Sequence, residues 1–316
     1  MNVSGKRQSL PLHWLLMAFV VALFSLACGA KQTPAGSTGG QTFVYAPPVG
    51  LVFKHQMKQL DELTIPGSNF RDSEEWRIVW EVKVEEAGDK IQYRRRLIEL
   101  GINVNGEAIL NGNEIEPQRA EIVQVMSKEG QVLDVTGTEQ LTKAIASLVP
   151  EAQRGVVSAE FSPDRLRAVL GARAMDAFGE VVGKPAEVGA TWTAQGSYGA
   201  LRAKKVVVDS ELGCRGTSCR KLVRSFDIDQ NMVGDVVRQK VASYLTGRGW
   251  DPAAVKLVDS NLKVEDFFVV EPATCLFHDA QLAEQGKLVL EGPGGGRLEF
   301  VRTSKFESHA DYPPPG

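Results

Sequence analysis

The sequence predicts an α+β fold in which an antiparallel, β-rich sheet dominates, curved as a half-barrel, with a helical insert packed on it. Three observations carry this reading. Period-two alternation fills several long segments, hairpin signals join them in series, and helical periodicity is confined to a few stretches with strands on either side.

The clearest strand is EEWRIVWEVKVEE, Glu74 to Glu86, where Trp76, Ile78, Trp80, Val82 and Val84 share one face and charged residues mostly fill the other. AGDK turns the chain and IQYRRRLIEL returns as the partner, which lets the acids of the first strand face Arg94 and Arg96. The RRR cluster therefore reads as a solvated, paired sheet face in preference to an anion site. EIVQVMSKEGQVLDV is expected to turn at Ser127 to Gly130, and KLVLEGPGGGRLEFVRT at Gly292 to Gly296. No Gly-Lys-Ser/Thr follows the glycine run, so a phosphate loop is not indicated.

Three helices are expected. TEQLTKAIASLV places Leu141, Ile145, Leu148 and Val149 on one face. SPDRLRAVLGARAMDAFGEVV opens with Ser162 as N-cap, Pro163 in the first turn and Asp164 near the positive end of the dipole. NMVGDVVRQKVASYLTG lines up Val233, Val237, Val241, Tyr244 and Leu245. A weak internal echo joins PPVGLVFKHQ to AEVGATWTAQ, each with Val-Gly and an aromatic three positions after the glycine. A two-half pseudo-repeat would produce it, and so would chance.

The first residues point to export. MNVSGKRQSLPLHW carries Lys6 and Arg7 and no acid, and the thirteen residues Leu15 to Ala27 carry no charge, which is short for a span of about 20 residues. Ser25-Leu26-Ala27-Cys28 resembles the lipobox of bacterial lipoproteins, with Ser25 where that family usually carries leucine. The resemblance implies a signal peptide at residues 1–27, cut before Cys28, and a diacylglycerol on the Cys28 sulfur. Acyl chains supply about 0.8 kcal/mol per buried methylene, enough together to hold a domain on a membrane. Gly29 follows where an aspartate would resemble an inner-membrane retention signal, so a cell-envelope protein on the outer membrane is favoured; a single-membrane host would make Cys28 a cell-surface anchor. Residues 28–41 read as the lipidated cysteine and a flexible tether. One globular body is expected from 42 to 305, then a disordered tail from 306 to 316.

Removing residues 1–27 leaves 289 residues with 34 bases and 39 acids, a charge of −5, which argues against nucleic acid as a partner. Cys214 and Cys219 flank Arg-Gly-Thr-Ser between strand-like segments, and in an exported protein a disulfide across a four-residue loop is expected. Cys275 is left as a core thiol. Cys275-Leu-Phe-His278 has the spacing of a ligand pair but lacks a second pair, and Asp227 and Asp229 in FDID lack the EF-hand spacing, so no metal and no cofactor is expected. The mature part holds no Gly-x-Ser-x-Gly, His-Glu-x-x-His or Ser-x-x-Lys motif, so a non-catalytic role is expected.

Lipid anchor and aromatic strands together predict a membrane-tethered binding domain for an apolar or lipid ligand. In architecture the body is loosely similar to half-barrel carriers of the lipoprotein-localisation type. The alternative is a structural or assembly lipoprotein docking onto another envelope protein, and an envelope hydrolase ranks last.

Overall fold

The computed structural model describes residues 40–112, 121–148, 181–194, 197–198 and 200–313, with scattered positions between 151 and 166. The elements in chain order are β1 (Val52–Thr64), β2 (Arg71–Ala87), β3 (Lys90–Val104), β4 (Glu107–Gly112), β5 (Glu121–Met126), β6 (Val132–Thr136) and α1 (Thr138–Leu148). The second half holds β7 (Thr191–Thr193), β8 (Ser197–Tyr198), β9 (Leu201–Cys214), β10 (Thr217–Ile228), α2 (Gln230–Lys240), α3 (Ala242–Gly247), β11 (Lys256–Val270), β12 (Phe277–Glu291) and β13 (Arg297–Asp311).

All thirteen described strands form one antiparallel sheet, curved and unclosed, ordered β6-β5-β3-β2-β1-β13-β12-β11-β10-β9-β7, with β4 beside β3 and β8 beside β9. Two meanders lie back to back. Each runs strand by strand away from the seam or toward it, and the first described strand pairs with the last. The open edges are β6 and β7, which are consecutive strands separated in sequence by the segment that carries α1.

Alternation decides the faces. Trp76, Ile78, Trp80, Val82 and Val84 of β2 are all buried, as the sequence predicts. The opposite face carries exposed pairs such as Lys58–Glu75 and Lys287–Glu299, each worth at most about 1 kcal/mol. The inner face holds two apolar cores. A large one gathers Phe43, Trp80, Val82, Leu97, Leu141 and Leu222, and a smaller one sets Val233, Val237, Val241 and Leu245 against Leu63, Leu288 and Phe300.

The expected third helix is thus present as α2 and α3, divided at Val241, with Val233, Val237, Val241 and Leu245 of the predicted stripe buried and Tyr244 partly so. Asp229 caps α2 by accepting from the Asn231 and Met232 N–H groups. α1 buries Leu141 and Ile145 as expected. Leu166 of the SPDR helix is buried, but most of that segment, including 167–180, lies outside the described residues.

The internal echo marks equivalent turns. Gly50 and Gly189 both take positive φ, +85° and +88°. Gly50 N–H donates to the Val84 carbonyl and Val84 N–H to that of Leu51, each at 2.8 Å; Gly189, Val208 and Ala190 repeat the pattern at 2.8 and 2.9 Å. Phe53 then faces Val82 while Trp192 faces Val206.

Three boundaries differ from expectation. The sequence places residues from 306 onward in a disordered tail, yet β13 continues to Asp311, and the Tyr312 hydroxyl donates to the Phe277 carbonyl at 2.8 Å. Only Phe306 and Ala310 signal alternation there, too little to read as a strand; the strand stops before Pro313, which has no N–H to pair. The cysteine hairpin turns on two residues, Arg215 and Gly216, both at positive φ, with Thr217 and Ser218 already in β10. Finally, the glycine run does form the expected turn, but Gly292 and Gly296 also lie under the Trp250 ring.

A Cβ on Gly292 would sit 2.4 Å from that ring. Gly292→Ala is therefore expected to cost about 1–3 kcal/mol in urea unfolding. An unchanged midpoint would show that Trp250 is free to move aside.

Candidate functional site

The strand register arranges the inner face in layers. Pairing places Trp76, Gln59, Phe306, Leu282 and Asp266 side by side across β2, β1, β13, β12 and β11. This row lies between the two cores. Leu282, Phe306 and, in the next row, Val264 are only partly buried, and among the described residues Leu282 and Val264 pack into neither core. Arg224 on β10 closes the row, bonded to both Asp266 carboxylate oxygens at 2.5 and 3.1 Å.

The next row toward α2 is ionic. Glu74, Asp61, Ser304 and Glu284 are neighbours across four strands, and Arg302 and Asp72 follow one row on. Lys240, the last residue of α2, reaches Asp61, which also lies 3.9 Å from Arg302; Arg302 in turn is 3.5 Å from Glu284. Burial alone would raise the Asp61 carboxyl, but Lys240 and Arg302 outweigh it and hold the group below its ordinary range. For Glu74 burial wins over Lys240 and the Trp76 N–H, pushing the carboxyl up to about 8, and burial raises Asp72 as well. The band therefore mixes ionised and protonated acids in one low-dielectric layer.

Beyond the middle row, on the side of the larger core, stands a polar and aromatic cluster. Arg95 donates Nε to Gln124 Oε1 at 3.2 Å and approaches His55 Nδ1 with Nη1 at 3.4 Å. His55 Nε2 lies 2.7 Å from Ser308 Oγ. A guanidinium only donates, so Nδ1 accepts and the hydrogen sits on Nε2, directed at Ser308. A nucleophilic serine needs the reverse, an imidazole lone pair facing the hydroxyl. Tyr93 lies beneath the Arg95 guanidinium, 5.8 Å from ring to Cζ, and Tyr45 arrives on the N-terminal segment. Burial pushes the Tyr93 phenol up to about 12 and raises that of Tyr45 further, so both remain neutral.

The sequence-predicted site residues fare as follows. Cys28 and the leader lie outside the described residues. Cys214 and Cys219 form the disulfide, with Cα atoms 5.7 Å apart. Cys275 is a buried free thiol, raised to about 12 by burial. His278 joins the disulfide instead of Cys275: its ring nitrogen and both sulfurs lie within 4.8 Å of one another, but the sulfurs are bonded and offer no thiolate. Its ring packs on Tyr312 at 4.9 Å. Asp227 pairs with Lys204, and Asp229 with Arg202 as well as the α2 cap, so each has a structural partner. His309 pairs with Asp279 at 2.6 Å.

Of the arginine cluster, Arg94 and Arg96 are the paired outer residues expected, meeting Glu85, Glu121 and Glu81. Arg95 is not; it faces inward, opposite Val82 and Ile122. Alternation carried that signal, and three identical residues in a row concealed it. Asp61, Lys240 and Arg302 were missed because 179 residues separate the first pair and no motif joins them.

Between about pH 4.5 and 8 the folded chain keeps a proton on Glu74 that the unfolded chain has released, so this group's contribution to stability falls as the pH rises through that window. Glu74→Gln is expected to flatten the decline and to stabilise more at about pH 8 than at about pH 5, read from urea midpoints. Equal effects at both pH values would contradict the buried, protonated carboxyl.

No helix among the described residues is long and apolar enough to cross a membrane. No family model and no curated protein matches the chain. Among solved structures, a lipovitellin structure described by its lipid–protein interactions aligns with a TM-score of 0.46 at 12% identity, over 85% of this chain. The chain spans about a quarter of that one, 26%. DynF from the dynemicin biosynthesis pathway of Micromonospora chersina aligns over 93% of this chain and 96% of its own at 8% identity and a TM-score of 0.20. A DUF1329 family protein from Desulfovibrio piger aligns over 82% and 85% at 7% identity and a TM-score of 0.14.

Proposed function

We propose that this chain is an exported lipoprotein of the cell envelope, held on a membrane, favoured to be the outer one, by acyl groups on Cys28, and that its sheet binds an apolar or lipid ligand on the inner face without catalysing a reaction. One observation carries the binding reading: Val264 and Leu282 present partly buried apolar side chains inward on adjacent strands, and among the described residues they pack into neither core. Apolar surface left partly open inside a curved sheet favours a ligand that replaces water there, at roughly 25 cal/mol per Å². The exposed valines Val44, Val49 and Val52, close together in the chain, support the second reading, docking onto an envelope protein.

Native mass spectrometry of the full chain extracted from its host membrane is expected to find a noncovalent lipid besides the anchor. Leu282→Glu places a charge in the middle row and is expected to abolish that adduct with circular dichroism unchanged. No adduct on wild-type protein, together with a copurifying envelope protein, would favour docking. Palmitate labelling is expected for the wild type and lost in Cys28→Ser; an unlabelled wild type would remove the anchor.

A further inference from the structure

Arg95 is a cation set on the inner face, and among the described residues no carboxylate lies within ion-pair distance of it. Its neighbours are the Gln124 amide, the His55 imidazole with Ser308 beyond it, and the phenols of Tyr93, Tyr45 and Tyr312. The contrast with the rest of the interior is direct. Asp61 has Lys240 and Arg302, Asp266 has Arg224, and Glu284 has Arg302. Burial weakens the hold of Arg95 on its proton, the opposite of the shift that a paired arginine such as Arg94 shows. A charge withdrawn from water without a counter-ion is costly, and buried charges are as a rule compensated.

The position is informative as well. His55 and Met57, then Gln59, follow one another on the inner face of β1; across the seam lie Ala310, Ser308 and Phe306. Four residues of strand separate the His55 row from the row of Phe306 and Leu282, about 14 Å at 3.4 Å per residue. This is comparable with an extended acyl chain, and it leads from Arg95 to the partly buried apolar side chain of Leu282.

We propose that Arg95, with Gln124 and His55 holding the guanidinium in place, binds the anionic head of an amphipathic ligand, a carboxylate or phosphate, while the acyl part lies along Met57, Phe306 and Leu282. This rests on the carrier reading and specifies its ligand class. Guanidinium matches either oxyanion with two parallel N–H donors.

The test titrates the full chain and its R95M and R95K variants with oleate, with monoolein and with acetate, reading occupancy by native mass spectrometry. Wild-type protein is expected to take oleate about tenfold or more tighter than monoolein. R95M should lose that preference and keep its affinity for monoolein, and R95K should retain part of the preference. Equal affinity for oleate and monoolein in the wild type, unaltered in R95M, overturns the head-group assignment and leaves the carrier reading standing. Acetate bound as tightly as oleate overturns it too, by making the site one for small free anions. If neither lipid binds, the carrier reading itself fails.

Discussion

The pairing of β1 with β13 is the contact on which the rest of the structure depends. It joins the first strand to the last through eleven residue pairs, from Lys54 opposite Asp311 to Thr64 opposite Val301. Remove it and two separate meanders remain, each with an open face. With it, the inner side chains of β2, β1, β13, β12 and β11 fall into common rows, so the apolar, ionic and aromatic layers are products of one register. A one-residue slip at this seam would turn one meander's core outward relative to the other's. The contact also spans nearly the whole chain, so its loop-closure entropy must be met before its hydrogen bonds form, which places it late in folding.

The interior is not a uniform apolar filling. Its two cores are sealed, while between them Arg224 with Asp266, Lys240 with Asp61, and Arg302 with Glu284 bring charges out of water. Such pairs add little net stability compared with apolar packing, but they tolerate few alternative arrangements. Lys240 ties the C-terminal end of α2 to the middle of β1, so the position of the helices and the position of the seam are linked through one ion pair. The cation at Arg95 stands outside this scheme, and that exception directs attention to the aromatic end of the inner face.

What was legible in the sequence was local. The strand around Trp76 to Val84, the turns at Ser127 to Gly130 and Gly292 to Gly296, the stripe from Val233 to Leu245 and the Cys214–Cys219 bond each arise from patterns within about twenty residues, and the structure contains them all. The closing of β1 on β13 was illegible because nothing in either strand names its partner. The ionic band was hidden for the same reason, its members coming from separate strands and a helix. The end of β13 was lost because serine, lysine and glutamate between Phe306 and its neighbours weakened the alternation. Only Arg95 was misread from information already present, since a neighbouring pair of correctly assigned arginines lent it their role.

The strands at the open edges have a further consequence. Those at the centre of the sheet run to 13–17 residues, whereas β6 has five and β7 has three. The rim strands are therefore short, although β9 beside β7 and β8 keeps most of its outer side unpaired among the described strands. Gly137, turning sharply at positive φ, ends β6 where a side chain would strike the Glu121 carbonyl. A sheet of this length with full-length rims would be a template for its own kind. Short rim strands leave a neighbouring copy few backbone groups to pair with at β6 and β7, so strand length limits edge-to-edge association there.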